Sequence, residues 1–290
     1  MPRLPIIKTP KVLVGGAFIR SESGRVFPLR SGAGAAVANI PQCTRKDLRN
    51  AVELAAKAGP GWARRTPYNR GQILYRIGEM LESRVAEMTD ALCWTRRGSA
   101  GRAAAAQEVS QTIDRLVHYA GWADKYEQLL GSVNPVAGPF FNFTVTEPMG
   151  VVGLIAPAEA QLLGLVSLIA PAVVSGNTVV ALASEQNPYP AIVLGELLAT
   201  SDVPGGVVNL LTGFQRELVP SFATHAHLRA ITAVVGPDHA RTLGLGAAES
   251  VKRLKVLPAG DVDFGDNAAQ GLSWIRALVE CKTTWHPIGA

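Results

Sequence analysis

The sequence has few of the features that mark secreted or disulfide-rich proteins. It contains three cysteines, Cys43, Cys93 and Cys281, an odd number in which no pair has C-x-x-C spacing. Its start shows no charged segment followed by an apolar one, as a secretory signal would. We therefore expect a reducing, cytoplasmic location and no disulfide framework.

Charged residues are also scarce. They make up 18% of the chain, against roughly 25% in an average globular domain. Glycine and proline number 29 and 19 among 290 residues, a smaller share than the roughly 25–30% that is typical of disordered chains. Length and composition together predict a folded, turn-rich protein of one large or two ordinary domains.

The net charge of +5 does not indicate a nucleic-acid partner, because the basic residues are scattered along the chain. Nucleic-acid binding needs basic side chains clustered on one face. The tightest groups are Arg64–Arg65 and Arg96–Arg97 with Arg102, which we interpret as solvated loops or helix ends.

No metal site is predicted either. His225 and His227 have neither a third ligand nor a carboxylate near them in the sequence. The acidic residues Asp261, Asp263 and Asp266 lack the glycine and the final glutamate of a calcium-binding loop.

The longest uncharged run, residues 162–183, has about the length of a membrane-spanning helix. Pro171 and the turn signal Gly176–Asn177 divide it, and β-branched residues follow at 178–180. We predict a buried helix, a turn and a buried parallel strand, and no membrane segment.

Hydrophobic periodicity predicts a mainly helical first half. A hairpin is expected over Val12–Phe27, followed by a helix over Arg45–Ala58. This helix begins with a capping box formed by Thr44 and Asp47 and is stopped by Gly59–Pro60–Gly61. A second helix is expected to carry the apolar stripe from Ile73 to Met88, and a third, over Ala103–Leu130, is expected to turn its polar face to solvent.

The second half changes to strand patterns. A period of two over Phe141–Thr146 predicts a half-buried strand, and a similar strand is predicted at Val279–Trp285 after a linker at Asp261–Gly271. These two strands can pair with each other or offer an edge to another chain. Between them, strands 151–156, 178–182 and 207–211 alternate with helices 162–174 and 191–200. This alternation predicts a doubly wound α/β core.

Several short segments together resemble a known family. They are Gly15–Phe18 with Ser21–Gly24, Gly61–Trp62, Tyr119–Lys125, Glu147–Gly153, Ser175–Val180 and Pro204–Asn209. In order and spacing, over residues 12 to about 260, they resemble the NAD(P)-dependent aldehyde dehydrogenase superfamily. The resemblance implies a Rossmann-type coenzyme-binding domain, a separate catalytic domain and a small oligomerisation β-sheet.

The resemblance also suggests how the chain is divided. Residues 1–260 are expected to form the coenzyme-binding domain, with an oligomerisation strand at about 140–147. Residues 261–272 stand as a linker where the family has its catalytic domain, and residues 273–290 carry the C-terminal oligomerisation strand. The chain is therefore expected to be a shortened member that lacks the catalytic domain.

None of the family's catalytic residues is expected in this chain. The family's nucleophilic cysteine lies in the missing domain, and its P-W-N-F-P segment, whose asparagine serves the oxyanion, corresponds to Pro157–Gln161. The general-base motif E-L-G-G corresponds to Leu257–Gly260, which places Leu257 where the glutamate stands.

This chain retains only some of the residues that contact the coenzyme in the family. The family's K-P-S-E segment corresponds to Leu182–Glu185, which retains Glu185, and Gly213 matches a family glycine after the third strand. At the family's F-T-G-S helix start this chain has Ala233–Pro237. We take Glu185 and Gly213 as the cofactor-binding candidates and expect weak binding of NAD or NADP.

The leading hypothesis is a pseudoenzyme that acts as a structural or regulatory subunit, assembling with itself or with a full-length aldehyde dehydrogenase. The alternative is an NAD(P)-dependent oxidoreductase acting on aldehydes that contributes a nucleotide site to a shared active site. A third reading, a decaying gene product, predicts non-cooperative unfolding.

Overall fold

A computed structural model describes residues 6–96 and 98–289. Its strands are β1 (Val12–Val14), β2 (Ala17–Ile19), β3 (Val26–Arg30), β4 (Ala36–Pro41), β5 (Ser132–Asn134), β6 (Phe140–Pro148), β7 (Val151–Ile155), β8 (Thr178–Leu182), β9 (Val208–Leu211), β10 (Leu228–Val235), β11 (Arg253–Pro258) and β12 (Val279–Pro287). Its helices are α1 (Arg45–Ala63), α2 (Pro67–Glu82), α3 (Val85–Cys93), α4 (Gly98–Trp122), α5 (Tyr126–Leu130), α6 (Leu163–Val174), α7 (Tyr189–Ala199), α8 (Gln215–Thr224), α9 (Pro237–Ala248) and α10 (Leu272–Arg276), with a 3₁₀ turn at Asn267–Ala269.

The core is a five-stranded sheet in the order β11-β10-β7-β8-β9, and each neighbouring pair is parallel. Successive side chains of a strand point to opposite faces. Accordingly Val152 and Leu154 of β7 join one buried cluster, whereas Val151 and Ile155 join another. Helices α6 and α7 contribute to the first cluster, and α1, α8 and α9 to the second. This confirms the predicted α/β fold, with helices on both faces of a parallel sheet.

The long uncharged run divides as predicted. It becomes α6, a turn in which Gly176 adopts φ 87°, and β8, and every residue of α6 and β8 is buried. Among the described residues, no helix combines the length and the apolar composition needed to cross a membrane.

The N-terminal segment forms two antiparallel hairpins, β1–β2 and β3–β4. The predicted capping box at the start of α1 is confirmed, because Asp47 accepts a hydrogen bond of 2.7 Å from the Thr44 backbone N–H. The same carboxylate accepts bonds of 2.9 Å from the Ser21 hydroxyl and the Glu22 N–H. Asp47 therefore fastens the N-terminal segment to α1.

The predicted end of the first helix was wrong. Helix α1 runs through Gly59, Pro60 and Gly61 and ends at Ala63. Trp62 lies in this extra turn, is 1% exposed, and donates its indole N–H to the Val173 carbonyl at 2.9 Å. Burial of so large a side chain offsets the local cost of glycine and proline in a helix.

Each of the two other long helices predicted from the sequence is divided into two helices in the structure. The stripe from Ile73 to Met88 spans α2 and α3, which are separated at Ser83–Arg84, and the run to Leu130 spans α4 and α5. The Arg84 side chain donates to Glu196 of α7 at 2.8 Å, so a contact with another helix accompanies the first break.

Seven elements had no counterpart in the sequence-based assignment: β4, β5, α8, β10, α9, β11 and α10. Strand β10 is buried at seven of its eight positions, and its apolar run, which includes Ile231 and Val234–Val235, is a readable signal of a buried strand. Helix α9 buries only Leu243, Gly246 and Ala247, which leaves a weak periodic pattern.

The small second sheet has the order β12-β6-β5. Strand β12 pairs antiparallel with β6 over all nine residues, from Val279 opposite Pro148 to Pro287 opposite Phe140. The two strands predicted from their period of two do pair with each other. One edge of this sheet is β12 itself.

Candidate functional site

A cleft opens at the carboxyl ends of β7 and β10. The chain leaves β7 toward β8 and leaves β10 toward β11, so the strand order reverses between them, and ligands of open α/β sheets bind outside such points. The cleft has a volume of about 950 Å³. Its walls come from residues 157–160 after β7, Val234 of β10, Ala259–Gly260 after β11, helix α4 and residues 262–266.

Carboxylates dominate the charge of this cleft. Glu108, Glu159, Asp263 and Asp266 line it, and among the described residues Arg96 is the one basic residue that does. The cleft is therefore acidic within a chain whose net charge is +5. An anionic ligand would meet like-charge repulsion there.

Glu108 of α4 lines the cleft and is 7% exposed. Its Oε1 accepts hydrogen bonds from the Leu162 N–H at 2.8 Å and the Leu163 N–H at 3.2 Å, at the start of α6. Its Oε2 pairs with Arg96. The carboxylate thus satisfies helix N–H groups that would otherwise lack acceptors.

Arg115 holds the segment that forms the opposite wall. It is 4% exposed and donates to the carbonyls of Phe264 and Ala269, both at 2.8 Å, and to the Ser167 hydroxyl. Burial lowers the pKa of its guanidinium, and no salt bridge of the described residues includes it. The segment interpreted as a linker is thus fastened to α4 and α6 at this point.

The burial of Glu108 and Arg115 corrects the prediction made from the sequence for α4. The polar face of α4 was expected to meet solvent, yet Glu108, Thr112 and Arg115 are all buried. Arg96, expected in a solvated loop, pairs with Glu108, and Arg97 lies outside the described residues. The spacing of 108, 112, 115 and 119 puts these residues on one helix face, which was the available signal.

The loop after β7 lies along the cleft. Glu159 is exposed, and Ala160 adopts φ 49°, a left-handed conformation that is strained for a residue other than glycine. The Ala158 carbonyl accepts a hydrogen bond of 2.9 Å from the Ser184 hydroxyl. Gln161 is 6% exposed, and within the described part of the chain its Oε1 has no hydrogen-bond partner.

The two coenzyme candidates both lie near the start of α8. The Glu185 carboxylate accepts from the Gln215 N–H, the first residue of that helix. Gly213 adopts φ 147°, and a Cβ there would lie 3.2 Å from the Cys43 carbonyl oxygen. Both residues therefore have structural roles that involve no ligand. Neither borders the acidic cleft.

A model of the aldehyde dehydrogenase family matches residues 18–261. The chain belongs to the aldehyde dehydrogenase family. Retinal dehydrogenase 2 of Gallus gallus is 35% identical over 229 residues, which are 78% of this chain and 43% of that relative. Omega-crystallin of Enteroctopus dofleini is 28% identical over 295 residues, covering 97% of this chain and 58% of that protein.

Solved structures, among them that of an aldehyde dehydrogenase, share the fold. HpcC of Thermus thermophilus aligns with a TM-score of 0.80 at 28% identity, covering 86% of this chain and 48% of that one. The NAD⁺ complex of a Bacillus cereus aldehyde dehydrogenase aligns with a TM-score of 0.81 at 24% identity, covering 87% and 51%. The chain spans about half the length of the relatives it matches.

The family's general-base position, as aligned from sequence, holds Leu257 on β11. Its side chain is half-buried and packs against the larger core cluster. Leu257 pairs in register with Val234 of β10. A leucine in this place adds apolar packing and cannot transfer a proton.

The start of α9, where the resemblance implies contacts to the coenzyme pyrophosphate, is poorly suited to an anion. Gly236 is the N-cap and Pro237 follows it, so the first helical residue has no N–H to donate. Asp238 places a carboxylate in the first turn, which opposes a phosphate there.

The three cysteines occupy different surroundings: Cys43 is buried, Cys93 is half-buried at the end of α3, and Cys281 is exposed on β12. None lines the acidic cleft. Burial raises the pKa of the Cys43 thiol to about 12. Because the thiolate is the nucleophile, Cys43 is inert near neutral pH.

Alkylation should separate Cys43 from Cys281. At pH 8 we expect iodoacetamide to modify exposed Cys281 at an ordinary thiol rate and Cys43 at least about 100-fold more slowly until the chain unfolds, read by peptide mass spectrometry.

The folded chain holds the Cys43 proton to about pH 12, whereas an unperturbed thiol ionises near 9.0. Stability from this burial is thus full below pH 9 and declines as the pH rises toward 12. Equal labelling rates at pH 8 would contradict this account.

Among residues 6–96 and 98–289, no group of three histidine, cysteine, aspartate or glutamate side chains could hold a metal ion. His225 Nδ1 accepts from the His227 backbone N–H at 3.3 Å. This contact belongs to the turn between α8 and β10.

Proposed function

We propose that this aldehyde dehydrogenase family protein is catalytically silent and acts as a structural or regulatory subunit. It assembles with itself or with a full-length aldehyde dehydrogenase in the cytoplasm. The observation that carries the proposal is the composition of the cleft at the strand-order reversal. Carboxylates and apolar side chains line it together with Arg96, Gln107 and Gln111, and no cysteine of the described residues lies there.

The chemistry of the family explains why the residues lining the cleft bear on activity. Oxidation of an aldehyde through a thioester needs a thiolate, donors for the oxyanion and a base that activates water. At the position of the family's oxyanion-binding asparagine this chain carries Glu159, which lines the cleft. At the position of the general-base glutamate it carries Leu257, which is half-buried against the core. A carboxylate repels an oxyanion, and leucine is not a base.

Weak binding of NAD or NADP is part of the proposal. Glu185 is engaged with the start of α8, and the start of α9 combines a proline with an aspartate. The acidic cleft disfavours a pyrophosphate. A coenzyme bound with a Kd of about 1 mM would stabilise the fold by about 0.4 kcal/mol at an equal free concentration.

The assembly role is supported by what the chain retains. The small sheet is complete in three strands, and exposed apolar side chains lie on it: Val133, Phe141, Val145 and Trp285. Exposed apolar groups collected on one unit are typical of interaction surfaces. No nucleic-acid or membrane partner is part of the proposal.

A turnover assay tests catalytic silence. With NAD or NADP and short aldehydes, we expect the purified chain to produce no reduced nicotinamide above the rate without protein, followed by absorbance. Addition of either coenzyme at about 1 mM should raise the free energy of unfolding by no more than about 0.4 kcal/mol.

A full-length aldehyde dehydrogenase assayed in parallel is the positive control. The chain is also mixed with that enzyme, and co-assembly is read by native mass spectrometry. Turnover by the chain alone would contradict the proposed silence, and a monomer that joins no related subunit would contradict the assembly role.

A further inference from the structure

Residues 261–270, which we call the lid segment, contribute one wall of the acidic cleft through residues 262–266. Eight of its ten residues are at least partly exposed. The two buried ones are Phe264 and Ala269, each 3% exposed. The Phe264 ring packs beside that of Trp274 of α10, with 6.4 Å between the ring centroids. Two buried side chains therefore account for most of the contact between the lid segment and the rest of the fold.

The lid segment contains turns of its own. The Asp263 carboxylate accepts a hydrogen bond of 2.8 Å from the Gly265 N–H, and the Asp266 carboxylate accepts one of 2.7 Å from the Ala268 N–H. Each bond joins residues two positions apart, as in an Asx turn, and needs no partner outside the segment. The segment can therefore move as a unit without losing these turns.

Few hydrogen bonds attach the lid segment to the rest of the fold. Beyond its junction with β11, and within the described residues, three of its carbonyl groups accept bonds from outside it. Arg115 donates to Phe264 and Ala269, both at 2.8 Å, and the Trp274 indole N–H donates to Ala268 at 3.1 Å. Because two of the three bonds come from one guanidinium, Arg115 is the main attachment.

A glycine with positive φ lies at each end of the lid segment. Gly260 precedes it with φ 89°, and Gly271 follows it with φ 98° and ψ −169°. The conformation of Gly271 is open essentially to glycine alone. In the described part of the chain, a Cβ at either position would have no atom within 4 Å apart from its chain neighbours. The surrounding structure thus leaves both glycines free to act as hinges.

We propose that residues 261–270 are a lid of the cleft that opens as one unit about Gly260 and Gly271 while the rest of the chain stays folded. Local opening is expected where buried contacts are few and the backbone is exposed. Opening removes Asp263 and Asp266 from the cleft, and these are two of the four carboxylates that line it. The lid therefore sets the negative charge of the cleft. This inference goes beyond the proposed function and does not depend on it.

Like charges oppose the closed position of the lid. The lid segment contains three aspartates and neither lysine nor arginine. Its Asp263 and Asp266 share the cleft with Glu159 on another wall, whereas the charge of Glu108 is paired with Arg96. Carboxylates around one cleft repel each other within the Debye length, which is about 10 Å at 0.1 M salt. Added salt should therefore favour the closed lid.

Cleavage by chymotrypsin after Phe264 measures opening, because this side chain is buried when the lid is closed. Phe222 of α8, which is 0% exposed, is the internal control for unfolding of the whole chain. Without urea we expect cleavage after Phe264 at least about 100-fold faster than after Phe222, and nearly independent of urea below the unfolding transition. Fragment masses give both rates, and a free peptide of residues 261–270 corrects for the protease's own response to urea and salt. Equal rates with the same dependence on urea would overturn the lid.

The hinge is tested at Gly271. Gly271→Ala strains the closed conformation, so cleavage after Phe264 should become at least about fivefold faster. Gly244→Ala in α9 is the matched control, because φ is not positive there and a Cβ would meet no atom of the described residues within 4 Å. It should leave the cleavage rate unchanged, and thermal unfolding checks that both variants are folded. An unchanged rate in Gly271→Ala would contradict the hinge.

The charges are tested with Asp263→Asn and Asp266→Asn combined in one chain. Asparagine keeps an oxygen that accepts the turn bond but removes the charge. Corrected with a peptide carrying the same changes, cleavage after Phe264 should slow at least about twofold at low salt, and about 0.5 M sodium chloride should slow it similarly in the parent chain. Asp261→Asn, at a position that does not line the cleft, is the matched control and should have a smaller effect. A rate that neither salt nor the double change alters would overturn the electrostatic part of the proposal.

These outcomes are separate from those of the proposed function. Catalytic silence and co-assembly are decided by the turnover assay and by native mass spectrometry of the unsubstituted chain. A lid that fails these tests leaves both untouched, and turnover or a lasting monomer leaves the lid untouched.

Discussion

Replacement of Arg115 by alanine should lower the free energy of unfolding by about 3–5 kcal/mol, because the removed guanidinium serves three buried acceptors. Two of them are the carbonyls of Phe264 and Ala269, each 2.8 Å away, and both residues are 3% exposed. Urea unfolding measures the loss, and limited proteolysis should cut residues 261–272 earlier than in the parent chain.

Two variants control this experiment. Arg115→Lys keeps a positive charge but cannot supply the guanidinium fork, so we expect an intermediate loss. Arg102→Ala removes an arginine from the same helix whose ion pair with Asp90 is more than half exposed on both sides. It should leave the free energy of unfolding nearly unchanged, because an exposed ion pair is screened by solvent. Equal losses for Arg115→Ala and Arg102→Ala would refute the bridging role.

Replacement of Glu108 by alanine should lower the free energy of unfolding by about 2–4 kcal/mol. The change removes the acceptor for two N–H groups at the start of α6 and leaves the charge of Arg96 without its carboxylate partner. The hydrogen bonds to Leu162 and Leu163 measure 2.8 and 3.2 Å. Thermal unfolding gives the size of the loss. Hydrogen exchange should show faster exchange at these two amides, which a general loss of packing would not single out.

Glu108→Gln separates the two contributions. The amide oxygen still accepts from the α6 start, but the charge opposite Arg96 and the helix dipole is lost, so we expect about half of the alanine effect. Glu79→Ala on α2, which removes an exposed partner of Arg76, should be nearly neutral. Unchanged exchange at Leu162 and Leu163 in Glu108→Ala would contradict the capping role.

The sequence predicted those parts of the fold that depend on local patterns. Strand β8 reads as an uninterrupted apolar run because both of its faces are covered. The period of two in β6 predicted the strand but not which face is buried, because Phe141 and Val145 are exposed whereas Asn142 is 2% exposed. Helix α9 escaped prediction because it buries only three residues, of which only Leu243 is large. The family motifs also lie in such segments, which is why they identified the fold.

The sequence by itself determined the α/β core, the existence of strands β6 and β12 and the family, because each shows in the pattern of residues along a strand or helix. It left open whether β6 pairs with β12, which the structure decided. Only the tertiary structure decided the extra turn of α1, the burial of Glu108 and the bridging by Arg115. Their partners lie far away in sequence: Val173 is 111 positions from Trp62, Leu162 is 54 from Glu108, and Ala269 is 154 from Arg115. A polar side chain on a helix reads as solvent-facing until the surface packed against it is known, since burial is favourable only where that surface supplies hydrogen-bond partners.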